Sequence, residues 1–327
     1  MGSGYTEGDY IRTVDGLFFA VKGGRHSDEL VIAILRYIPD EKGDRVKDDK
    51  RYHRVYDIAS TTRYLEEYYP QYINYINWLE LRLQSVPTSK IAKVFRAKER
   101  LKSILVNPVS ELEKRVKDLV DVLSEASGVS SECFGVSGSL LIGLDTLDSD
   151  IDLNVYGETE GRLIYGELKS LREKVDWISP YDAESIEPVL RSRWINLGQE
   201  MNKLRAIECR KVLHGLFYGI DYFIRLLIDE EDSTSKPIKA VTISATIADS
   251  SHGIYTPCTY LVKDVNIQYE SQQYDITELR SYRGKFTEQA KTGDRVLVRG
   301  RMEQVMKQGR TSYRLILGHK GDYLVPV

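Results

Sequence analysis

The stretch that most limits the fold runs from Cys133 to Tyr156. An apolar start, Cys133 to Val136, meets the small-residue turn Ser137-Gly138-Ser139. Ten residues, Leu140 to Ser149, then lead into Asp150-Ile151-Asp152-Leu153-Asn154-Val155-Tyr156. That segment alternates strictly, which predicts a strand. Ile151, Leu153 and Val155 face one way, and Asp150, Asp152 and Asn154 the other. Carboxylates two residues apart on one face have Cα atoms about 6.5 Å apart, so their oxygens converge. Two such charges at about 4 Å repel by roughly 4 kcal/mol at an effective dielectric near 20. A strand that carries them needs a cation or a raised pKa to hold them.

Hard divalent metals with oxygen ligands meet that demand, and a pair of them is the usual arrangement for phosphoryl chemistry. The preceding glycine lets backbone approach closely, and backbone N–H groups with a serine hydroxyl can hold phosphate oxygens. An apolar strand, a Gly138-Ser139 turn, a short linker and an Asp-x-Asp strand together resemble the polymerase-β-like nucleotidyltransferase superfamily. The layout is also similar to uncharacterised archaeal predicted nucleotidyltransferases. The resemblance covers Pro108 to Ile228. It implies transfer of a nucleoside monophosphate from a nucleoside triphosphate to an acceptor hydroxyl, RNA foremost, with release of pyrophosphate. It also implies two Mg²⁺ ions held by Asp150, Asp152 and a third carboxylate from a later, adjacent strand, which completes the second metal site. Asp221 is the candidate, lying inside the apolar strand Gly219 to Leu227, and Asp176 is the alternative. Gly138, Ser139, Ser149 and Arg225 are the implied nucleotide-binding residues. Alternation puts Arg225 on the face of Asp221, where it either points into the same cleft or pairs with that acid. Two other readings stay open: an inactive module that binds nucleic acid or protein, and an antitoxin-like enzyme that adenylylates a protein.

At 327 residues and a net charge of −3, the chain has room for several hydrophobic cores, and its near-neutral charge argues against a wholesale nucleic-acid coat protein while leaving local basic patches open. Cys133, Cys209 and Cys258 show neither disulfide nor zinc spacing, which predicts a reducing interior. With no membrane-spanning apolar run and no signal-peptide core, the expectation is a cytoplasmic protein without a membrane partner.

The expected fold class is α+β in three parts: residues 1–86, an N-terminal antiparallel sheet with helices; 87–232, the nucleotidyltransferase core; 236–327, a small OB-like β-barrel. In the first part, strands are expected at Ile11–Val21, Leu30–Ile38 and Arg51–Tyr56. A helix capped by Ser60 or Thr61 and a second over Gln71–Leu83 follow. The turn Lys22-Gly23-Gly24-Arg25-His26 lacks the ending of a P-loop and reads as a hairpin turn. Lys90, Lys93, Arg96, Lys98, Arg100 and Lys102 form the most basic stretch, either a solvated face or one turned to phosphates. Helices are expected at Glu111–Glu125, Leu163–Lys174 and Ile186–Leu216, with a strand at Val175–Ile178 between the last two. A linker is expected at Asp229–Pro237, then strands at Ala240–Ala248, Tyr255–Val265, Arg295–Val305 and Ser312–Leu317. Arg295, Arg299, Arg301, Tyr313 and Arg314 would give that barrel a face for single-stranded nucleic acid. His214 and His252 have no partner at metal-ligand spacing and carry no role.

Overall fold

Alternation in the first hundred residues builds an antiparallel sheet. The computed structural model describes residues 4–194, 198, 200–268 and 274–327. Its leader strands are β1 (Tyr10–Thr13), β2 (Phe18–Val21), β3 (Leu30–Pro39), β4 (Arg45–Lys47) and β5 (Lys50–Arg54). The expected single strand Ile11–Val21 is a hairpin, because Asp15-Gly16 turns the chain, with Gly16 at φ +83°. Helix α1 (Ile58–Tyr68) begins one turn earlier than expected. Its cap is Asp57, whose carboxylate accepts from the Ser60 N–H at 2.9 Å.

The helix expected over Gln71–Leu83 is absent. Two short strands stand there instead, β6 (Ile73–Ile76) and β7 (Leu81–Pro87), with helical turns of three residues beside them. The aromatic and β-branched residues read as a helix face instead serve strand pairing, and β7 pairs with β3 through Val31 and Val86. Strand β8 (Ile91–Phe95) then completes the order β4-β5-β3-β2-β1-β8. The basic stretch is thus divided between β8 and the helix α2 (Ala97–Val106).

Helix α3 (Glu111–Ser127) stands where expected and buries a stripe of Val116, Leu119, Val120 and Leu123. Ser110 caps it, and Gly128 ends it at φ +73°. Next come β9 (Phe134–Val136), the one-turn helix α4 (Gly138–Ile142), β10 (Ile151–Tyr156) and α5 (Glu158–Lys174). Helix α5 starts five residues before the predicted Leu163. The chain continues through β11 (Ile178–Ser179), α6 (Ile186–Arg193), α7 (Glu200–Arg210), β12 (His214–Phe217) and β13 (Ile220–Leu227). The long helix expected over Ile186–Leu216 is therefore two helices and a strand, with residues 195–197 and 199 outside the described set. His214 lies in a strand, and Asp176 lies in an exposed bend.

The fold is mixed α+β with several sheets, divided into two compact units. The first takes the chain up to Tyr75, Arg82–Trp177 and Phe217–Asp229. The second takes Ile76–Leu81, Ile178–Leu216 and Glu230–Val327. The leader and the core, expected as separate parts, share the first unit. They are joined by a buried cluster in which Tyr10, Phe18, Ala20, Tyr37 and Tyr52 of the leader meet Ala97, Leu141, Ile142 and Leu144.

In the second unit, β14 (Thr234–Asp249) begins within the expected linker, with Pro237 at a register shift against β18. The unit continues with β15 (Tyr255–Thr256), β16 (Cys258–Ile267), β17 (Ile276–Ser281), β18 (Arg295–Lys307), β19 (Arg310–Leu317) and β20 (Tyr323–Pro326). Pairing runs β14-β16-β17-β19-β18 and returns to β14, with β17 and β19 parallel. The expected nucleic-acid face is partly consumed internally. Arg314 is buried with Nη2 3.2 Å from Glu303 Oε2, and Arg301 Nη2 lies 3.3 Å from Oε1 of the same buried acid. Arg295 and Arg299 remain exposed.

Candidate functional site

Strand β10 lies between β9, antiparallel, and β13, parallel. The parallel register pairs Ile151 with Tyr222, Asp152 with Phe223 and Asn154 with Arg225. Asp150 and Asp221 each stand one residue before the first registered pair. Alternation then sets Asp150, Asp152 and Asn154 on one face with Asp221, Phe223 and Arg225 beside them. Asp152 is 8% exposed, whereas Asp221 is on the surface at the start of β13. Asp150 and Asp152 supply the all-oxygen anionic donors that suit a hard divalent ion. Among the described residues, no three acids, histidines or cysteines are gathered closely enough to hold a metal as they stand.

Gly138 sits directly on this pair. It adopts φ +63°, and a Cβ there would collide with Asp152 Oδ2, so the position requires glycine for both conformation and space. The Ser137 N–H donates to the Asp152 carbonyl at 2.8 Å, and its Oγ donates to the Gly8 carbonyl at 2.9 Å. Ser139 and Ser149 are buried and bonded to each other at 3.2 Å. Ser149 Oγ also accepts from the Thr146 N–H at 2.8 Å and from Arg45 Nη1 at 3.1 Å. These hydroxyls fix the loop that feeds β10, and Arg45 ties that loop to β4.

The electrostatics answer the question raised by the paired acids. Burial, then the neighbouring Asp150, pushes the Asp152 carboxyl up to about 6, against the pull of Arg225, Arg54 and Arg36. Arg225 Nη2 lies 3.7 Å from Asp152 Oδ1. The arginines Arg36 and Arg54 come from the leader sheet, and sequence reasoning did not place them here. A signal was present: Arg36 is the one charged residue in the otherwise apolar run Leu30 to Ile38. Asn154 is fully buried, its side-chain amide lying beside the Tyr156 hydroxyl and against Gly8. A cleft of about 550 Å³ lies elsewhere, between α2 and α3, where Arg100 pairs with Glu113. It holds none of the paired acids.

No family model matches this chain. An uncharacterized protein of Methanocaldococcus jannaschii is 25% identical over 328 residues, spanning 95% of this chain and 94% of that protein. No solved structure matches. No helix among the described residues is long and apolar enough to cross a membrane.

Proposed function

We propose that the chain is a metal-dependent nucleotidyltransferase that moves a nucleoside monophosphate from a nucleoside triphosphate to an acceptor hydroxyl, RNA foremost. The observation that carries this reading is the β10–β13 register, whose first pair, Ile151 with Tyr222, directly follows Asp150 and Asp221, with Gly138 packed against Asp152. On this reading the core is polymerase-β-like. The strand circuit of the second unit, with its parallel β17–β19 pair, supports an OB-like barrel.

Asp150 and Asp152 would hold magnesium, which when bound lowers the pKa of the acceptor hydroxyl and neutralises triphosphate charge. Asp221, at the exposed end of the face, would orient the acceptor hydroxyl and receive its proton. Gly138 keeps the wall open for the Asp152 carboxylate. Ser139 and Ser149 hold the loop, and a rigid loop is what a reaction governed by positioning needs. A second reading has one observation in its favour. The Arg225–Asp152 ion pair neutralises a buried acid without a metal, as a binding module would require.

The test is incubation with each α-labelled nucleoside triphosphate, Mg²⁺, and total cellular RNA or protein. Label in RNA supports the proposal. Label in protein would make the chain a protein-modifying transferase. No transfer from any triphosphate would leave the binding module.

A further inference from the structure

Register alone places several cations of the leader sheet on one face. Ala20 pairs with Ile34, Phe18 with Tyr37, and Tyr37 with Arg54, and residues paired across strands share a face. Between Leu35 and Tyr37 the β2–β3 pairing skips Arg36, so Arg36 is the extra residue of a β-bulge. Leu35 belongs to the cluster beneath α1, together with Phe19 and Leu65. Tyr37 belongs to the opposite cluster, with Leu141, Ile142 and Leu144. The bulge therefore lets Arg36 and Tyr37 face the site together, a common use of bulges near active sites. Lys22, two residues past Ala20, follows the same alternation and is ion-paired with the buried Glu7.

The guanidinium groups of Arg36 and Arg54 make no hydrogen bond or ion pair among the described residues, though that of Arg54 lies over the Tyr56 ring at 4.7 Å. Both are partly exposed, as are Lys22 and Arg225. Against burial, Tyr37 and Asp150 hold the Arg54 guanidinium up, and Asp152 and Glu7 hold Arg225 up, whereas the other two cations are shifted down. Burial, with Arg225 and Arg54, pulls the Arg36 guanidinium down, and burial, with Arg225 and Arg36, pulls Lys22 down. The carboxylates facing them are Glu7, Asp150 and Asp152. Cations crowded this way on one face are what an anionic ligand with several oxygens would relieve.

We propose that Arg36 and Arg54, with Lys22 and Arg225, form an oligophosphate-binding wall that the leader sheet contributes to the Asp150–Asp152 site. The proposal rests on the transferase reading for what the phosphates are attached to, but not for their binding. Arginine suits the task because its planar fork meets phosphate oxygens two at a time.

The test is calorimetric titration of the full chain with inorganic tripolyphosphate in EDTA. The wild type is expected to bind one tripolyphosphate. Arg54→Gln, at the partly exposed strand end, should weaken binding at least tenfold, and Arg36→Gln at least as much. Arg36→Lys should restore part of the loss, which covers the case in which Arg36→Gln does not fold. Asp152→Asn should tighten binding, since it removes a facing negative charge. No binding by the wild type, or equal binding by Arg54→Gln and Arg36→Lys, overturns the proposal. Tripolyphosphate bound through the arginines without any label transfer would end the transferase reading and leave the wall standing. Label transfer with a nucleotide KM unmoved by Arg54→Gln would do the reverse.

Discussion

At the scale of single residues, the account turns on how Asp150 and Asp152 are held. Asp150→Ala or Asp152→Ala should abolish label transfer, by at least about a hundredfold. The far-UV spectrum should stay unchanged for Asp150→Ala, which removes one half of a repelling pair and leaves the Arg225–Asp152 ion pair in place. Retained transfer in the double variant would refute the assignment. Gly138→Ala should lower stability by about 1–2 kcal/mol from its left-handed backbone alone, and by more from the collision with Asp152. Urea titration reads this, and an unchanged midpoint would mean the Gly138–Asp152 approach is looser than described. The acids and the glycine were legible in the sequence because alternation and spacing are local properties. Arg36 and Arg54 were less so: the lone charge in an apolar run marked Arg36, but the acids they face lie far along the chain, and only strand register reveals the face they share. The serines were legible as a motif, whereas their bond to each other depends on the loop between them.

At the scale of elements, local signals succeeded where a helix carried both a stripe and caps. Helix α3 has Ser110, its apolar face and Gly128, and it lies where the sequence put it. The stretch Gln71–Leu83 misled because its aromatic spacing suits a helix, while the edge of β3 offered a ladder to pair with. Pairing across distant strands overrides local preference in this way. Helix α5 offers a clean check on element stability. Gly166 lies inside it with open space where a Cβ would go. Gly166→Ala should raise stability by about 0.5–1 kcal/mol, read by thermal melting. A loss would mean the helix is packed there more tightly than its surroundings indicate.

At the scale of the whole molecule, the division into units escaped the sequence because the joining surface is a shared core, not a linker. Composition marks a linker, but not which strands a buried cluster unites. The second unit carries a buried charge network with a pH signature. Glu208 accepts from Arg193 Nη1 at 2.8 Å, Lys211 Nζ at 3.0 Å and Trp194 Nε1 at 2.9 Å. Against burial, Lys211 and Arg193 hold its carboxyl down at about 2. Burial, then Arg193, holds the His214 imidazole down at about 3. The unfolded chain takes up a proton at His214 near pH 6.5 and at Glu208 near 4.5, while the folded chain refuses both until far lower. The stability of the second unit should therefore fall as pH drops below about 6.5, and fall faster below about 4.5. Thermal midpoints between pH 7 and pH 4 read this, and a flat profile would show that the network opens to solvent. The central claim concerns the first unit, and one measurement addresses it most directly. Wild-type and Asp150→Asn chains are incubated with α-labelled nucleoside triphosphates, Mg²⁺ and cellular RNA, and covalent label and free pyrophosphate are counted together. The account predicts equal amounts of both products from the wild type and neither from the variant. Equal label from the two chains, or none from the wild type with any triphosphate, would contradict it.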